Sequence, residues 1–120
     1  MLKHELMRDD AILMVTPEGK LAAADFKALA REVDPFIEEK GDLSGLMIYT
    51  ESFPGWEDFT ALTAHLKFIR GHHRQIKKVA AVTDGKILSI LPQMAEHFVS
   101  GEVRHFDFVE KEAALAWLKS

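Results

Sequence analysis

The chain contains no cysteine, so disulfides, thiolate metal sites and thiol nucleophiles are outside its chemistry. The residues still able to do chemistry gather at a few places. Residues 50–56 hold Phe53 and Trp56 around Pro54-Gly55. Large apolar groups on a loop point to contact with a ligand or a subunit, or else to a staple folded onto the following helix. Glu57 and Asp58 come next; they suit a helix start and oppose an anionic ligand there. Asp84 precedes Gly85, where an acid at a strand end serves either a functional role or the ordinary turn chemistry of Asp-Gly. Residues 67–78 form the one basic cluster, with Lys67, Arg70, His72, His73, Arg74, Lys77 and Lys78. An anion patch on Arg70, His72, His73 and Arg74 is one reading; the solvated cationic end of a helix is the other.

The six histidines do not fall into a ligand pattern. His72 and His73 are adjacent, and adjacent side chains on a helix point apart. His65 and His72 share a helical spacing, but Gly71 interrupts it, and His97 and His105 belong to different segments. No metal and no other cofactor is expected. Catalysis finds little to work with: there is no nucleophile elbow and no phosphate-cradling loop, and Glu51, Asp58 and Asp84 are the only acids whose places along the chain invite convergence. The expectation is a protein that binds rather than an enzyme.

The bulk properties agree. Apolar residues make up 48% and charged residues 28% of the 120-residue chain, enough apolar material for a real core. The net charge of -4 gives no general attraction to nucleic acid or anionic lipid. The longest apolar run is about five residues, far short of the roughly 20 that span a bilayer, and residues 1–10 lack the apolar stretch of a signal peptide. One domain over residues 1–120 in the cytoplasm is the expectation.

The elements that must position these residues alternate. Residues 2–7 and 11–16 are of strand length and flank Arg8-Asp9-Asp10, so they are expected to form a hairpin, with residues 2–7 at the edge. Pro17-Glu18-Gly19-Lys20 ends it. Phe26, Leu29, Ala30, Val33 and Ile37 recur at helical spacing across residues 23–40. Pro35 either kinks that helix or opens a second one capped by Asp34, and Gly41 stops it. Residues 43–49 are almost continuously apolar, as in a strand covered on both faces. Phe59, Leu62, Leu66 and Ile69 predict a second helix ending at Gly71. Residues 79–82 predict a short buried strand, and Leu88, Leu91, Ala95 and Phe98 a helix interrupted near Pro92. Residues 103–108 alternate as a strand, and residues 110–118 form the last helix. Its Ala113, Ala114, Ala116 and Trp117 either pack on the sheet or form a homodimer seam. Alternation of this kind calls for a mostly parallel sheet with right-handed crossovers, whose ligands gather at the carboxyl ends of the strands.

Three stretches resemble a known family: Gly19-Lys20-Leu21 with Asp25-Phe26; residues 78–84; and residues 101–107 with Ala114-Leu115-Ala116-Trp117-Leu118. Their order is similar to that of the SpoIIAA-like group, whose fold is shared by STAS domains, including bacterial anti-anti-sigma factors, and by CRAL-TRIO lipid carriers. The resemblance covers nearly the whole chain. It implies an α/β fold with an N-terminal β-hairpin followed by βα repeats: a mixed, mostly parallel five-stranded sheet packed with about four helices. It also implies partner binding, phospho-switching or small-molecule sensing. Anti-anti-sigma factors carry a phosphorylatable Ser in an Asp-Ser pair before a crossover helix. No such pair stands here, and Ser52 and Thr60 are the nearest hydroxyls. The expected site is the strand-end loops, with Phe53, Trp56 and Asp84 binding a ligand or a protein partner that the sequence does not identify. The alternatives are a small apolar ligand held among Phe59, Leu62, Leu66, Leu88 and Leu91, and phospho-regulation at Ser52 or Thr60.

Overall fold

Residues 45–49, Gly-Leu-Met-Ile-Tyr, offer apolar side chains to both sides of an extended backbone, and such a strand is stable only between two covering layers. In the computed structural model, which describes residues 2–18, 23–51, 76–85 and 102–120, this segment is the middle strand of five. Strands β1 (Leu2–Met7), β2 (Ile12–Pro17), β3 (Gly45–Tyr49), β4 (Lys78–Val82) and β5 (Glu102–Phe106) lie side by side in chain order. β1 pairs antiparallel with β2, and β2 through β5 are parallel, with Leu46 opposite Leu13 and Val79. The expected hairpin, the edge position of β1 and the mixed, mostly parallel sheet are all present.

The described helices are α1 (Ala23–Lys40) and α2 (Lys111–Lys119), with a 3-10 turn at Phe108–Glu110 before α2. Two of the about four expected helices are therefore described; those predicted around Phe59–Ile69 and Leu88–Phe98 lie outside the described residues. α1 runs unbroken through Pro35, and no second helix starts at Asp34. Pro35 has no N–H to offer the carbonyl of Arg31. Both residues are exposed, so water is available to that carbonyl. The stripe of Leu29, Val33, Phe36 and Ile37, buried on either side of Pro35, keeps both halves of the helix on the sheet. Gly41 adopts φ 92° and donates its N–H to the Ile37 carbonyl at 2.8 Å, the left-handed stop that glycine provides at least cost.

The strand alternation sorts the core into two layers. Leu13, Val15, Leu46, Ile48, Val79 and Ala81 face α1, together with Leu2 and Leu6 of β1. Ile12, Met47, Ala80, Val82 and Phe106 face Ala114 and Leu118 of α2. Leu46, Met47 and Ile48 are fully buried, and each such side chain contributes about 1.5–3 kcal/mol on leaving water.

α2 is fastened at two points. A methyl group added to Gly45 would stand 2.8 Å from Leu118 Cδ2 and 3.2 Å from its Cβ, so only glycine lets the helix come this close to β3. In the same last turn, the Lys78 ammonium donates to the Trp117 carbonyl (3.1 Å), the Ser120 carbonyl (2.9 Å) and the Ser120 hydroxyl (2.7 Å). The same ammonium lies 5.5 Å from the centre of the Trp117 ring. Lysine from the foot of β4 thus satisfies the carbonyls that a helix end leaves open.

Gly45→Ala is expected to lower stability by about 1–3 kcal/mol in urea unfolding. Combined with Leu118→Ala, the loss should fall short of the sum of the two single losses. Lys78→Met should lower stability by about 1 kcal/mol and speed amide exchange in the last turn of α2.

Candidate functional site

Because β3, β4 and β5 are parallel, the residues that leave their carboxyl ends emerge along one rim. The rim is bonded across: Thr50 N–H donates to the Val82 carbonyl and Thr83 N–H to the Phe106 carbonyl, both at 3.1 Å. The segments 49–51, 83–85 and 107–111 therefore form one continuous surface. Among the expected site residues, Asp84 stands here, half-buried and already engaged with a partner. Phe53, Trp56, Ser52, Thr60, Arg70, His72, His73 and Arg74 lie outside the described residues, as do Phe59, Leu62, Leu66, Leu88 and Leu91.

The rim contains residues that pattern alone did not pick out. β5 ends at Phe106, two residues short of the strand expected over 103–108. The chain turns because the Glu110 carboxylate accepts the Asp107 N–H at 2.9 Å while the Glu110 N–H donates to the Asp107 carbonyl at 2.8 Å. That reciprocal pairing winds a 3-10 turn and brings Phe108 onto Tyr49, with ring centres 4.8 Å apart and planes 14° from parallel. The Lys111 ammonium sits 4.7 Å from the centre of the Tyr49 ring, a cation over an aromatic face. Between Phe108 and Glu110, Val109 projects with 90% of its surface in water. A β-branched side chain so exposed on a fixed turn gains nothing from folding.

His105 is partly buried and bonded to the Thr83 carbonyl at 3.0 Å through Nε2. A carbonyl only accepts, so Nε2 carries the hydrogen in that bond. Thr83 itself is fully buried, and its hydroxyl oxygen finds no partner among the described residues. His4, at the other side of the sheet, meets Glu32 of α1 at 2.7 Å. Both described histidines thus tie elements together.

The opposite, amino-terminal edge of the parallel strands holds a cavity of about 320 Å³ lined by Asp9, Asp10, Ser44, Lys77, Lys78, Leu118, Lys119 and Ser120. Two of its three lysines are engaged. Lys78 is spent on the end of α2, and Lys119 pairs with Asp10 at 3.6 Å. The carboxyl end of the basic cluster therefore fastens a different helix from the one its sequence position suggested. The last helix packs on the sheet: Ala114 is buried, and Trp117 packs on Phe106 with ring centres 5.8 Å apart. The packing reading of that helix holds, with Ala113 and Ala116 left exposed. No helix among the described residues is long and apolar enough to cross a membrane.

Comparison with curated proteins and with solved structures returns no match. A family model described as SpoIIAA-like matches residues 12–119, from the first residue of β2 to the last of α2. With the hairpin, the parallel order of β2 to β5 and the closing helix all in place, the chain belongs to the SpoIIAA-like family.

Proposed function

We propose that this protein is a non-enzymatic binding or regulatory domain that engages a protein partner through the carboxyl rim of its sheet. Family membership supports a binding or regulatory role. The observation that carries the choice of surface is Val109: an apolar side chain 90% exposed, on a turn held rigid by the Asp107–Glu110 pairing and backed by the Tyr49–Phe108 stack. A pre-organised apolar knob beside aromatic rings costs little entropy to bury against a partner. The polar groups around it favour contact over chemistry. Asp84 is engaged, the Glu110 carboxylate is bonded to backbone, His105 is bonded to a carbonyl, and Lys111 lies over a ring. A general base or nucleophile needs a free polar atom facing a reacting group. Phe53 and Trp56, on the loop that follows β3, extend this surface in the proposal.

A photoreactive amino acid in place of Val109 is expected to cross-link to another protein in cell extract, whereas the same group in place of Lys77, at the opposite edge, is not. For the protein so captured, Val109→Asp and Trp56→Ala should each weaken binding by about tenfold or more with the far-UV spectrum unchanged. Full binding by both variants would discard this surface.

A further inference from the structure

The sheet has two edges, and β1 is the outer strand at one of them; among the described residues nothing pairs with its outer side. A free edge presents unpaired N–H and carbonyl groups, and proteins commonly guard it with charge. A guard of one sign would repel a second copy in every register. β1 carries instead Lys3 and Glu5, opposite in sign, two residues apart and both exposed on the same face. Between them, His4 points to the other face, where Glu32 holds it. We infer that two copies of this chain pair edge to edge through β1, antiparallel and centred on His4.

The register follows from the charges. Antiparallel pairing about His4 sets Lys3 of each copy opposite Glu5 of the other, twice per dimer, with Cβ atoms about 4.5–5.5 Å apart. On the opposite face it sets Leu2 beside Leu6. Centring the pair on Lys3 or on Glu5 would bring like charges face to face, which is destabilising. Shifting by a single residue would turn the partner's α1 to the other side of the sheet. His4 is thus the centre that satisfies the charges and keeps α1 of both copies on one face. Lys3 already has Glu18 at 3.3 Å, but that pair is half exposed and contributes little. The other edge, β5, has Glu102 and Arg104 at the same spacing. There, however, the Arg104 guanidinium lies 5.2 Å from the Phe106 ring centre and 5.8 Å from that of Trp117, and pairing with a second copy would compete with those contacts.

The pairing has a geometric consequence. Joining two five-stranded sheets antiparallel at β1 makes one continuous ten-stranded sheet. The carboxyl rims of the two copies then face opposite ways. The dimer presents one rim at each end and is suited to bridge two partners. The inference does not depend on the rim being the binding surface, and β1 precedes the residues matched by the family.

The test is sedimentation equilibrium of the full chain across a dilution series. The expected mass approaches twice 13.6 kDa. Lys3→Glu alone and Glu5→Lys alone should each raise the dimer dissociation constant by roughly tenfold or more, since two attractive cross-strand pairs become repulsive. Two recoveries are expected. Lys3→Glu combined with Glu5→Lys in one chain should restore the dimer, although the Glu18 contact stays lost. Mixing the two single variants should give a heterodimer, because each then supplies the charge the other lacks. A wild-type monomer throughout, a dimer indifferent to the single changes, or weakening that neither recovery repairs would each overturn the pairing.

Discussion

The structure depends on one strand being hydrogen-bonded along both sides and covered on both faces. β3 pairs in parallel with β2 and with β4. Leu46 and Ile48 are sealed under α1 and Met47 under α2. A parallel strand cannot be left half wet as an antiparallel one can, so both helices follow from its composition. The close contact of Gly45 with Leu118 sets how near α2 lies. The apolar stripe of α1 sets the other layer and overrides a proline in its middle.

From that arrangement the two ends of the sheet take different work. The amino-terminal end is a place of fastening. There Lys78 closes the end of α2, Lys119 meets Asp10, and the Ala11 carbonyl receives the Ser44 N–H at 2.8 Å. Its cavity is polar, with Lys78 and Lys119 already engaged. The carboxyl end is a place of presentation. Glu110 and Lys111 are used in shaping the turn and the aromatic stack, and Val109 is held out in water. Family membership supports a binding or regulatory role, and the exposed Val109 is the reason the proposal places contact at this end.

Much of this architecture was legible in the chain. The apolar runs at 43–49 and 11–16, the weak alternation at 2–7 and the stripe from Leu29 to Ile37 are each local signals, and each became the expected element. What was not legible depends on pairs distant in sequence. The alternation of residues 103–108 continues past Phe106, so nothing local announces that the strand ends there. It ends because the Glu110 side chain captures the Asp107 N–H. Tyr49 and Phe108 leave strands that are not neighbours and meet across the end of β4, a contact no spacing predicts. Lys78 looked like part of a basic run following a helix, yet its ammonium serves a helix end some forty residues away in sequence. The place of Asp84 just after β4 was legible, because Asp-Gly at a strand end is a local signal.

β3 and β4 are the floor on which the rim is mounted, and amide hydrogen exchange as a function of denaturant measures how firm that floor is. Residues 46–48 and 79–81 are expected to exchange only through global unfolding, with the full denaturant dependence of the whole domain. Exchange of those amides through local openings insensitive to denaturant would contradict that expectation.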